Sequence, residues 1–94
     1  MNDTLGRLGI AMRKGDVVIG AKRVIETLPK QKHATVFLAK DAGENTKKKI
    51  LDKTTHYGFE CIRDYTSEAL SKAVGKKNIT VLALTGEDLM KKSS

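Results

Sequence analysis

Two runs, 34-ATVFLA-39 and 79-ITVLAL-84, constrain the fold more than anything else in this 94-residue chain. Each has strand length and is nearly unbroken in apolar side chains, whereas a strand with one wet face alternates apolar and polar residues. Both must therefore be covered on two sides. The segments around them carry helical spacing. Leu5, Leu8 and Met12 fall at i, i+3 and i+7, predicting a helix that starts at Asp3 and stops by Gly15. Val17-Val18-Ile19 reads as a short strand, and Gly20 leads into a second helix with Val24, Ile25 and Leu28 as its buried stripe, ended by Pro29.

A third helix is expected over residues 44–57, with Ile50 and Leu51 inward and Lys49 and Lys53 on a wet face. Residues 59–62 form another strand, and Thr66 or Ser67 caps a fourth helix carrying Leu70, Ala73 and Val74. Thr85-Gly86-Glu87-Asp88 has capping-box spacing for a short terminal helix, and residues 91–94 read as a fraying tail. Helices alternating with doubly covered strands across short connections define an α/β chain. The expected architecture is a three-layer α/β/α sandwich around a mixed or mostly parallel sheet, one domain over residues 1–94.

Charge narrows the function. The 18 basic and 11 acidic residues leave a net charge of +7, the footprint of a protein that meets phosphate. Phe37, Tyr57, Phe59 and Tyr65 are the only aromatics, too few for a platform that reads single strands by stacking. Cys61, the sole cysteine, excludes an internal disulfide and fits a strand as a small apolar residue. No apolar run approaches the ~20 residues of a membrane span. A cytoplasmic, monomeric protein is expected.

The cations sit where local rules disfavour them. In 20-GAKR-23, Lys22 and Arg23 occupy the first turn of a helix, whose free N–H groups and dipole repel positive charge. Lys47, Lys48 and Lys49 open the third helix in the same way, fanned at ~100° intervals. Lys47 lies on the face of Ile50 and Leu51, so its charged end leans toward the border of the core. Lys40 and Asp41 close the preceding strand, and Lys76 and Lys77 precede the last one. Strand-end loops and helix starts gather on one edge of such a sheet, where ligands bind. Local rule-breaking of this kind is expected at sites.

Enzyme readings find less support. His33 and His56 have no carboxylate or cysteine at metal-ligand spacing, and a His56–Cys61 pair lacks an orienting third group. Gly15 and Gly20 flank a strand, but neither GxGxxG nor GxxxxGK[ST] is present. No catalytic residue, metal or cofactor is expected. A structured RNA accounts for all the misplaced cations together; the alternative is an interaction module of the same fold that docks its basic face on an acidic protein.

Three stretches, 8-LGIAMRKGDVVIGAKRVIETL-28, 36-VFLAKDAGENTKKKILDK-53 and 69-ALSKAVGKKNITVLALT-85, cover nearly the whole chain. In that order they resemble the kink-turn-binding ribosomal-protein family, above all its small bacterial YlxQ-type members. The resemblance implies the same sandwich and RNA binding without catalysis, with ribosomal RNA or another kink-turn RNA as partner. It implies that Gly20, Ala21, Lys22 and Arg23 enter the groove at tandem sheared G·A pairs. Lys40, Asp41 and Gly43 with the start of the third helix, including Lys47, would help enclose a flipped-out nucleotide, and Lys76 and Lys77 would complete the surface. The chain departs from the family in having Lys22 and Arg23 where archaeal members carry asparagine and an acid. Glu26 replaces a lysine one turn on, Gly43 and Lys47 replace other members' pocket lining, and Ser67 stands where some members have a basic residue.

Overall fold

The central strands of the sheet are the two apolar runs. A computed structural model describes residues 4–85. It orders the elements as α1 (Thr4–Lys14), β1 (Val17–Ile19), α2 (Ala21–Thr27), β2 (Thr35–Leu38), α3 (Glu44–Tyr57), β3 (Glu60–Ile62), α4 (Ser67–Val74) and β4 (Val81–Leu84). The sheet runs β1-β4-β2-β3. Every residue of β2 and β4 is buried, whereas β1 is half-buried and β3 half-buried to exposed. The longer apolar runs thus mark the two inner strands, and the three-residue strands β1 and β3, which are less buried, lie at the edges.

The sheet is mixed. β2 and β3 are parallel, while β4 is antiparallel to both its neighbours, β1 and β2. Helices α1 and α4 pack together on one face, and α2 and α3 on the other, giving the expected three layers. The first and third helices and the cap of the fourth follow the spacing closely. Thr66 is that cap, its hydroxyl accepting from the Ala69 N–H at 3.2 Å. The second helix is shorter than its apolar stripe: Pro29 sits in a 3₁₀ turn, Leu28–Lys30, that takes over after Thr27. Leu28 still reaches the core from that turn. The terminal helix expected beyond Thr85 and the tail at 91–94 lie outside the described residues.

The core is built from Leu8 of α1, Val24, Leu28, Val36, Phe37, Leu38, Ile50 of α3, Leu70 of α4, and Val81 and Leu82, each at most 1% exposed. At about 1.5–3 kcal/mol per fully buried large side chain, these residues dominate the favourable side of folding. Ile25 and Leu51 are only half-buried and pack on the core's margin. α1 lies close against α4 at Gly9, where a Cβ would stand 3.2 Å from the Ala73 carbonyl oxygen.

Candidate nucleic-acid interface

Strand direction assembles the candidate site. β1, β2 and β3 all run one way and β4 the other, as the pairs Ile19 with Leu82, Leu38 with Val81 and Phe37 with Ile62 show. The C-terminal ends of three strands and the N-terminal end of the fourth therefore share one edge. Three backbone bonds carry the strand order into the loops: Gly20 N–H to the Val81 carbonyl (2.9 Å), Ala39 N–H to Thr80 (2.8 Å) and Lys40 N–H to Tyr65 (2.9 Å). Along the edge, the cations come in the order Lys22 and Arg23, Lys76 and Lys77, Lys40, Arg63.

At the first position the chain turns from β1 into α2 through Gly20, whose φ of 100° and ψ of 140° disfavour any residue with a Cβ. The Gly20 carbonyl accepts from Val24 N–H at 2.9 Å, the first bond of the helix. Ala21 packs against the core, and Val24 is fully buried. That leaves Lys22 and Arg23 exposed, with no acidic residue in the turn to offset them. Arg23 lines a cleft of 460 Å³ together with Lys76 and Lys77, over apolar side chains that include Met12, Ile19 and Ile79.

The loop carrying Lys76 and Lys77 is pinned rather than loose. The Ser71 hydroxyl accepts from Ile79 N–H at 2.9 Å and the Ser71 carbonyl from Lys76 N–H at 3.0 Å. Asn78 takes a left-handed conformation, φ 57°, to make the return. The same two lysines border a further cleft of 340 Å³ with Ser67, Ser71, Lys72 and Asn78.

At the far end of the edge, Lys40, Lys47 and Arg63 surround a cleft of 510 Å³, with Ala39, Cys61 and Ile62 as its apolar wall and Glu60 and Asp64 as its acids. Lys47 is half-buried and lines this cleft, on the border of the core as its spacing to Ile50 and Leu51 predicts. Lys48 and Lys49 are exposed and line none of these clefts. Asp41 turns to its neighbour Ser67, whose N–H and hydroxyl donate to its two carboxylate oxygens at 2.8 and 2.6 Å. The Ser67 hydroxyl and then its amide hold the Asp41 carboxyl below its ordinary value.

Arg63 is the residue that reasoning from sequence passed over. It follows β3 just as Lys40 follows β2, so the rule that singled out Lys40 applies to it equally. Cys61 packs as a small apolar side chain, and burial pushes its thiol pKa up, with Arg63 opposing only in part. His33 and His56 are exposed, and among the described residues no group of His, Cys, Asp and Glu could hold a metal. No helix among them is long and apolar enough to cross a membrane.

Fold and edge together define a small α/β/α protein with a basic sheet edge. The chain belongs to the ribosomal protein L7Ae/L30e/S12e/Gadd45 family, whose model matches residues 2–93. It is 36% identical over 69 residues to the RNA-binding protein YlxQ of Enterococcus faecium, covering 73% of this chain and 67% of that one. To the RNA-binding protein YlxQ of Bacillus subtilis it is 32% identical over 85 residues, covering 90% and 85%. Among solved structures, a Bacillus halodurans protein of unknown function superposes with a TM-score of 0.86 at 30% identity, over 94% of this chain and 89% of that one. The 15.5 kD RNA binding protein of Giardia lamblia superposes with a TM-score of 0.79 over 96% and 77%; at 16% identity this likeness concerns the fold.

Proposed function

We propose that this chain is a non-catalytic, single-domain RNA-binding protein, monomeric and cytoplasmic, that recognises an internal loop of kink-turn type in ribosomal RNA or a related cellular RNA. The observation that carries the reading is the gathering of four cation-bearing loops on one sheet edge: β1, β2 and β3 end there, and the reversal of β4 adds the loop of Lys76 and Lys77. Both named relatives are RNA-binding proteins, which favours a nucleic acid over an acidic protein as the partner.

The physics of a bent RNA suits such an edge. An intact A-form major groove is too deep and narrow for side chains, so bases are read where an internal loop opens it. Lys22 and Arg23, exposed beside the glycine turn, can donate to guanine O6 and N7 at tandem G·A pairs. Apart from its immediate chain neighbours, no atom among the described residues lies within 4 Å of where a Gly20 Cβ would be, so the turn faces open space through which RNA can approach. A sharp bend crowds phosphates together, and the cations further along the edge offset that repulsion. A protein that binds only the bent form draws the population toward it.

The test is a titration into end-labelled RNA containing tandem G·A pairs, beside a control with those pairs converted to Watson–Crick, following affinity and end-to-end energy transfer at physiological salt. Preferential binding with bending is the expected result. Equal, weak binding to both RNAs would overturn the reading.

A further inference from the structure

Asp41 is an acid in the middle of a basic edge, and both of its carboxylate oxygens are occupied. Oδ1 accepts the Ser67 N–H at 2.8 Å and Oδ2 the Ser67 hydroxyl at 2.6 Å, across 26 residues of chain. Beside them, Lys40 N–H donates to the Tyr65 carbonyl at 2.9 Å. The local cap of α4, Thr66, takes the Ala69 amide, so Asp41 supplies a partner to an earlier amide that Thr66 does not reach. In effect it is a second, long-range cap, and its negative charge suits the positive end of the helix.

A carboxylate repels phosphate, and this one, though exposed, has both oxygens engaged by Ser67. We propose that Asp41 is a positioning residue: its bonds to Ser67 tie the loop after β2 to the first turn of α4, holding two sides of the interface in one arrangement before RNA arrives. The inference rests on the RNA reading above. It predicts a sign opposite to that of simple charge. Removing an acid from a surface that meets phosphate should tighten binding through electrostatics, whereas releasing the brace leaves only a fraction of molecules competent to bind and weakens the apparent affinity by that fraction.

The experiment compares Asp41→Ala, Asp41→Asn, Ser67→Ala and the Asp41→Ala/Ser67→Ala double variant with Asp64→Asn, which removes an acid elsewhere on the same edge. Each is titrated with the tandem-G·A RNA after circular dichroism has shown it folded, and exchange of the Ser67 amide is followed without RNA. Asp41→Ala is expected to bind on the order of tenfold more weakly, as if a tenth of the molecules were competent. Asp41→Asn, which keeps one acceptor, falls between it and the wild type. Asp64→Asn binds more tightly, and the double variant is no weaker than Asp41→Ala. Faster Ser67 exchange in Asp41→Ala and Asp41→Asn completes the expected pattern.

Tighter or unchanged binding by Asp41→Ala overturns the proposal, as does additivity in the double variant, which would mean that Asp41 and Ser67 act independently and not through the bond they share. Should Asp41→Ala not fold, Asp41→Asn decides by the same criteria. Wild-type protein without preference for the tandem-G·A RNA overturns the functional reading and with it the effect on affinity. The Ser67 exchange, measured without RNA, still decides the brace.

Discussion

Lys22 and Arg23 face solvent from a helix end that repels them, at a cost of a few tenths of a kcal/mol (about 0.3) for each. On the proposed reading, a base contact worth several times that amount offsets this cost. Replacing both by alanine is expected to weaken the tandem-G·A complex by about 2–4 kcal/mol, the worth of one to two good base pairings with side chains. Affinity unchanged in that double variant would move the site elsewhere. Glu26, exposed one turn beyond Lys22, stands at the i+4 spacing from which it can compete with RNA for that lysine. Glu26→Lys should tighten the complex roughly twofold, since such a pair is worth a few tenths of a kcal/mol, and weaker binding would show that the acid itself contacts RNA. At Gly20 the demand is conformational, because a Cβ would have open space around it yet φ is 100°. Gly20→Ala should therefore destabilise the protein by about 1–3 kcal/mol in urea unfolding. Sequence alone could single out Lys22 and Arg23 because each breaks a local rule, and Gly20 because it turns a strand into a helix. Arg63 breaks none: like Lys40 it is a cation just after a strand, a weaker signal, and the arrangement of the loops shows which cleft it shares with Lys40.

Among the elements, those with strong periodicity could be read almost to the residue, α3 above all, because 14 residues with a capping glycine on each side leave little freedom in where the helix starts and stops. The orientation of β4 could not be read. Its apolar run reports burial on both faces, which parallel and antiparallel neighbours satisfy equally well, and direction follows from how α4 returns the chain. The Asp41–Ser67 bond was invisible for a similar reason: two polar residues 26 apart become partners only when β2 and β3 pair in parallel. That bond has a signature in pH. The folded pKa of Asp41 is the lowered one, so the brace contributes fully above the ordinary carboxylate value of 3.8 and is lost as pH falls through the folded value. A carboxyl titration followed by NMR should place Asp41 below that ordinary value in the wild type and nearer to it in Ser67→Ala; an unshifted wild-type midpoint would contradict the geometry.

On the scale of the whole molecule, net charge and edge charge make different predictions. A protein carrying +7 attracts RNA from any side. The sheet order nevertheless concentrates Arg23, Lys76, Lys77, Lys40 and Arg63 along three strand spacings, a span of about 14 Å. If that edge is the interface, Arg63→Ala or Lys40→Ala should weaken binding to tandem-G·A and control RNA alike, and should reduce the slope of log Kd against log salt by about one for each phosphate the side chain no longer neutralises. Lys32→Ala changes the net charge by the same amount but lies ahead of β2, at the opposite edge. It should leave the slope and the affinity for both RNAs nearly unaltered. An equal change for Lys32→Ala and Arg63→Ala would mean that RNA responds to total charge, and the sheet edge would then have no special part in binding. A change confined to the edge variants, with the preference for tandem G·A pairs abolished only on replacing Lys22 and Arg23, would divide the surface into a reading end at α2 and a phosphate-holding remainder. That division follows from the order β1-β4-β2-β3, which places the exposed first turn of α2 at one end of the row and Arg63 at the other.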